Sequence, residues 1–367
     1  MKFSISKEIL IKQLQMIASV VERRQTLPIL ANVLIVLKDG SLNLTGTDLE
    51  VEIVAKGGEE VTGSEGSITL PARKLLDICR SLPDGVVIKF SVGDKGRVVI
   101  TSGRSRFTLS ALPAEEFPNI ETCSTDFEFT IPGKQLKQLI DSTSFAMAHQ
   151  DVRYYLNGML WEIKAGVLNG VATDGHRLAI TSLELPLDKA LVVQAILPRK
   201  GVVELSRVLM DEGNVTVSLG NSLVRVQGSD FYFTTKLVDG AYPDYDKVLP
   251  KDGRSVLRGD RAALKQAFSR ASILSNEKYR GVRLTLSENL LTIVASNPEK
   301  EQAEEELVVD YKGEALELGF NVNYILDALG ALPGEEACFT LSDANSSALI
   351  QDPGDASSTY VIMPMRL

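Results

Sequence analysis

Cysteine and histidine are both rare in this chain, with 3 and 2 copies in 367 residues. Cys79, Cys123 and Cys338 are odd in number and far apart, so they fit neither a disulfide framework nor a zinc site, and reduced thiols in a cytoplasmic protein are expected. His149 and His176 have no ligand partners at metal spacing. No apolar stretch approaches the roughly 20 residues that span a bilayer. The opening MKFSISKEIL carries no signal-peptide pattern, so no membrane association is expected. P-loop, GxSxG and HExxH motifs are missing. Asp174 and His176 in TDGHR could be imagined as a catalytic pair, but an Asp-Gly hairpin turn with a packed histidine explains them better. No catalytic residue, metal or cofactor is expected.

An excess of positive charge is missing too. The net charge is −9, which at first sight argues against nucleic acid. Its distribution is more telling: residues 1–124 hold 15 basic and 15 acidic side chains, residues 125–254 hold 14 and 16, and residues 255–367 hold 10 and 17. The acidity gathers at the C-terminal end, a polarity that a head-to-tail assembly could use. Hydrophobic residues at 44% and charged residues at 24% are ordinary for a globular protein, and the length suggests two or three domains.

What is present is a repeat. FSISKEILIKQLQMIASVV, FTIPGKQLKQLIDSTSFAM and LRGDRAALKQAFSRASILS each predict a short strand, a turn and an amphipathic helix. The apolar faces are Leu10, Leu14 and Ile17, then Leu136, Leu139 and Ile140, then Leu264, Ala267, Phe268 and Ala271. Three strand-like runs follow each. A second start, ITLPARKLLDICRSLP, AILPRKGVVELSRVLM or LGFNVNYILDALGALP, repeats the pattern within each copy. The expectation is an α+β chain of three domains, 1–124, 125–254 and 255–367, each made of two βαβββ units. Repetition alone does not require that such domains close into a ring.

Basic residues recur on the predicted helices: Lys7 and Lys12, Arg73, Lys74 and Arg80, Lys134 and Lys137, Arg199, Lys200 and Arg207, then Arg261, Lys265 and Arg270. Any one of them could simply face solvent. Their recurrence in an acidic protein suggests that helices lining a hole would make it positive, attracting phosphates without reading bases. A rival class, a repeated-domain enzyme or soluble regulator, would gather titratable residues in one pocket, whereas here they spread over the repeats.

The segments RQTLPIL, LTGTDLE, GRSRFTLS, AHQDVRYYLNGML, ATDGHRLA, PRKGVVEL, KLVDGAYPDY, ILSNEKYRGVRL, GFNVNYILD and YVIMPMRL resemble the bacterial sliding clamp family over the whole chain. The resemblance implies a head-to-tail homodimeric ring of six similar domains, with helices inside and sheets outside. Twelve helices of about 10 Å diameter give a circumference of about 120 Å and an opening of about 28 Å, wider than the roughly 20 Å of duplex DNA.

It implies further that Arg24, Gln150, Arg153, Tyr154 and Tyr155 contact DNA, beside the helix residues Arg73, Arg80 and Lys200. At the ring joint, Lys74, Arg104, Arg106, Phe107 and Leu109 would meet Ile273, Leu274, Glu299, Glu301, Glu304 and Glu305. The apolar terminus, Val361, Ile362, Met363, Pro364, Met365 and Arg366, reads from its residues alone as an edge strand buried in its own domain, whereas the resemblance joins it to Leu156, Thr173, Gly175, His176, Arg177, Leu178, Pro243 and Val248 in a groove. That groove would take short extended peptides from the replicative polymerase, the clamp loader, translesion polymerases and other clamp-binding proteins, with His176 and Arg177 as polar positioning groups. The family's two basic residues after PDY are Asp246 and Lys247 here, which changes the charge at the rim.

Overall fold

The computed structural model describes residues 1–21, 27–57, 61–93, 96–120, 127–250 and 253–366. Arg24 and Cys123 therefore lie outside the described residues. The chain forms two compact units, one of Met1–Lys137 with Lys200–Leu237, the other of Gln138–Arg199 with Val238–Leu367.

Six α-helices occur among the described residues: α1 (Lys7–Ile17), α2 (Ala72–Ser81), α3 (Gly133–Thr143), α4 (Arg199–Val208), α5 (Arg261–Ser272) and α6 (Val322–Ala331). Each follows one strand and precedes three, so the βαβββ unit occurs six times, with the two-residue strands Gly63–Ser64 and Asp310–Tyr311 in addition. The predicted turn between strand and helix is missing, because the capping residue itself makes the bend. Ser6 closes the strand Lys2–Ser6 in extended conformation while its hydroxyl accepts from the Ile9 amide. Asp260 and Asn321 do the same for α5 and α6, satisfying N–H groups that would otherwise lack partners.

The apolar faces read from the sequence are the buried ones. Leu10, Leu14 and Ile17, Leu136, Leu139 and Ile140, and Leu264, Ala267, Phe268 and Ala271 are all at most 1% exposed. Each large aliphatic side chain so buried contributes roughly 1.5–3 kcal/mol. Two glycines let helices sit close on the strands. A Cβ at Gly46 would lie 3.2 Å from the Cβ of Ile17, and one at Gly170 would run into Leu139. These are the glycines of LTGTD and LNGVATD.

All strand pairings among the described residues are antiparallel, and two of them join strands of different sequence repeats. In the first unit, Phe231–Lys236 pairs with Val51–Ala55 to make an eight-stranded sheet beside a five-stranded one. In the second, Arg177–Glu184 pairs with Asp355–Ile362 to make a nine-stranded sheet beside a four-stranded one. Strand Ser105–Ser110 is an edge of the five-stranded sheet, and Gln302–Val308 an edge of the four-stranded sheet.

Candidate peptide-docking groove

The hairpin of ATDGHRLA builds one wall of an apolar groove in the second unit. Strands Val167–Thr173 and Arg177–Glu184 are joined by Asp174, Gly175 and His176, with Gly175 at φ +88°, where a side chain is disfavoured. The Asp174 carboxylate accepts from the amides of His176 and Arg177, and the Thr173 hydroxyl donates to the Arg177 carbonyl at 2.6 Å. The Asp-Gly turn is as expected, but His176 is exposed rather than packed. A short polar loop held by its own aspartate needs no buried imidazole.

Leu156, Thr173, Gly175, Arg177, Leu178, Pro243, Val248, Val361 and Met363 line this groove of about 160 Å³, together with Arg153 and Tyr245. Its floor is the cluster Leu160, Val171, Leu178, Ile180, Ile196 and Val361. Strand alternation explains which tail residues take part: Val361 faces the groove, whereas Ile362 is 1% exposed and does not line it. Past Ile362 the tail leaves the sheet but stays fastened, with the Met363 amide donating to the His176 carbonyl at 2.9 Å and the Met365 amide to the Gly319 carbonyl at 2.7 Å. Pro364 lies between them. Met365 and Arg366 line a separate polar cleft on the four-stranded sheet, with Tyr279, Arg283 and Glu317.

Arg177 is locked in place. Its guanidinium donates to Asp174 (3.1 Å), Asp327 (2.5 Å) and the Phe145 carbonyl (2.6 Å), and lies 4.5 Å from the Tyr324 ring centre. Such a group fixes the wall more than it greets a ligand. Sequence reasoning missed Tyr245 and put Arg153 elsewhere. An aromatic between Pro243 and Val248 in KLVDGAYPDYDKV was the available signal. Burial, and then its contact with Glu162, pushes the Tyr245 phenol upward. Burial does the same for Tyr242, whose oxygen accepts from the Thr173 amide.

The other candidates are dispersed. Arg73, Lys74 and Arg80 are exposed on α2, with Arg73 making only a 3.5 Å bond to the Val21 carbonyl. Lys200 is ion-paired to Asp48. Lys7 is buried and donates to the Leu82 carbonyl and Asp84, a structural task rather than a free surface charge. Gln150 is at φ +55° and Tyr154 is 64% exposed, its ring edge-on to Tyr155 at 6.4 Å. Arg153 binds Asp151, holding that carboxyl at about 2.

Ile273 is 75% exposed and Leu274 half-buried, while Phe107 and Leu109 are half-buried on the edge strand that also carries exposed Arg106, with exposed Arg104 in the turn before it. Glu304 is exposed on the other edge strand, Glu299 and Glu301 just before it. Glu305 is bound within its own chain by Arg270.

Six βαβββ units in tandem, with an apolar groove in the second unit, define a scaffold of the DNA-clamp class. Three family models of the DNA polymerase III beta subunit match in order: the N-terminal domain over 1–121, the central domain over 130–244 and the C-terminal domain over 246–366. The beta sliding clamp of Pseudomonas putida is 54% identical over 368 residues, covering 100% of both chains, and that of Escherichia coli K12 is 50% identical over 369, also covering 100% of both. Among solved structures, the sliding clamp of Pseudomonas aeruginosa bound to griselimycin superposes with a TM-score of 0.97 at 54% identity, and the pol III beta of Caulobacter crescentus with 0.93 at 38%, each covering 100% of both chains. The chain belongs to the DNA polymerase III beta subunit family, the beta sliding clamps. Its role is that of a DNA sliding clamp, a non-catalytic subunit.

Proposed function

We propose that two copies of the chain close head to tail into a ring around duplex DNA, and that the groove tethers the replicative polymerase, the clamp loader, translesion polymerases and other clamp-binding proteins through short peptides. The observation that carries this reading is the groove itself, an apolar slot whose wall is completed by the chain's own C-terminal tail. Methionine suits a surface that must accept several sequences, because its thioether chain adapts. Leu and Phe anchors on an extended peptide would supply most of the binding energy.

Two edge strands support the ring. Ser105–Ser110 carries Arg106, Phe107 and Leu109, and Gln302–Val308 carries Glu304. Joined across two protomers, each would remove an unpaired edge from the other. Ile273 and Leu274 would supply apolar area, and Lys74, Arg104, Glu299, Glu301 and Glu305 would set orientation more than affinity. Arg24, Arg73, Arg80, Gln150, Arg153, Tyr154, Tyr155 and Lys200 are proposed to meet DNA without base readout. Lys200 and Arg153 already face an acidic partner, so Arg73 and Arg80 are the freer charges. No helix among the described residues is long and apolar enough to cross a membrane. As a clamp of the replication machinery, the chain is proposed to work in the cytoplasm.

Loading the protein on nicked circular DNA and then linearising it tests the ring. Retention on the circle and loss from the linear form is the expected result; equal retention on both would overturn encirclement.

A further inference from the structure

A polar row crosses the same face of the sheet, two residues along each strand from the groove's apolar floor. Gln194, Glu162, Asn169 and Ser182 are direct cross-strand neighbours on four adjacent strands. Glu162 is only 7% exposed, and among the described residues its hydrogen-bond partners are neutral, Gln194 and Tyr245. Its Oε1 accepts from the Gln194 amide at 2.6 Å, and its Oε2 accepts from the Tyr245 hydroxyl. The Asn169 Oδ1, next in the row, accepts from the Ser182 hydroxyl at 2.7 Å. A buried carboxyl held only by neutral donors is costly unless every partner stays in place.

Tyr245 belongs to the short turn Tyr245–Lys247, between groove residues Pro243 and Val248. The rest of that segment is irregular, with Tyr242 and Val248 packed on the same apolar cluster. Apolar packing tolerates sliding. The bond from Tyr245 to Glu162 does not, because a hydroxyl must stay within reach and in line. The residues at groove depth thus take their position from a row of side chains that never touches the groove.

We infer that Glu162 is a positioning residue for the docking groove, acting through the Tyr245 hydroxyl to hold the Pro243–Val248 wall at the width that admits an apolar peptide anchor. This rests on the reading of the groove as a peptide site and names what sets its shape. Tyr245→Phe keeps the ring and its apolar area but frees the wall. Glu162→Ala frees it from the other side. Glu162→Gln keeps the length and an acceptor for the phenol, and Gln194 can turn its amide to match.

The test is fluorescence-polarisation titration of the full chain with a fluorescein-labelled hexapeptide bearing Leu and Phe anchors. Loss of this hydrogen bond, with a buried partner left unsatisfied, predicts affinity weaker by about tenfold for Tyr245→Phe and for Glu162→Ala. The double variant should lose no more than either single one, since both cut the same link. Glu162→Gln should stay within about threefold of the unsubstituted chain. Emission of the single, buried Trp161 on the same strand reports whether the sheet is intact. If the unsubstituted chain binds no such peptide, the reading of the groove fails. If it binds and Tyr245→Phe binds equally well, or the two losses simply add, the positioning role is overturned. A tenfold loss in Glu162→Gln would also overturn it.

Discussion

Replacing Arg177 by alanine would remove three hydrogen bonds and two ring contacts, to Phe145 and Tyr324, at one stroke. Asp174 and the Arg177 side chain are 16% and 13% exposed, whereas Asp327 is 44% exposed. Deleting one partner of a buried pair costs about 3–5 kcal/mol. Water can recover part of the Asp327 interaction, which brings the expected local loss to about 2–4 kcal/mol. The cost should fall on the hairpin, because Asp174 also holds the amides of His176 and Arg177. A chain of several domains need not unfold in one step, so native-state hydrogen exchange over residues 173–178 is the better assay. Exchange there should accelerate roughly 30- to 1,000-fold, and peptide affinity should fall with it. Arg177→Lys should recover less than half of the loss, since an ammonium cannot reach three acceptors in a plane. Acceleration below about threefold in Arg177→Ala would refute the view that this side chain fixes the wall.

Removing Met363 to Leu367 takes away a groove residue and both fastenings of the tail, and should abolish peptide binding while leaving a folded dimer; undiminished binding in a polarisation titration would move the pocket elsewhere. Changing both Ile273 and Leu274 to alanine should yield monomers at micromolar concentration in sedimentation, since truncating buried aliphatics costs about 2–5 kcal/mol per site; a persisting dimer would refute the proposed joint. Affinity for short linear duplex should be weak, fall steeply with salt and ignore sequence, and Arg24→Ala with Gln150→Ala should weaken it further without breaking the dimer. A marked preference for one sequence in a binding assay would sink the sliding interpretation.

The helical faces were legible because a 3.6-residue period in Leu10, Leu14 and Ile17 has one burial solution. The six-fold recurrence of strand, helix and three strands was legible for the same reason. Cross-repeat pairings were not. Nothing local in FYFTTK says that Phe233 will face Ile53, since register between remote strands follows from packing of the whole sheet. Likeness pointed to Leu178, Val361 and Met363, which line the groove, but also to Ile362, Met365 and Arg366, which do not, and it left out Tyr245. Arg177 finds partners 32 and 150 residues away, and Glu162 reads as a surface residue until Gln194 and Tyr245 are set around it. The helix cations show the same limit: Lys7 and Lys200 look like surface charge in the sequence but are held in internal ion pairs.

The two sheet edges also carry a rule of mating. Arg104 and Arg106 mark one, Glu304 and Glu306 the other, so neither tolerates a second copy of itself. Under the proposed assembly, a chain with Glu304 and Glu306 changed to lysine would reject its own kind. It would accept only a chain whose Arg104 and Arg106 had become glutamate, because only there do both joints match opposite charges. Mixing the two would give rings with distinguishable halves. A groove could then be disabled on one half alone, and the number of docking ports a moving ring needs could be counted.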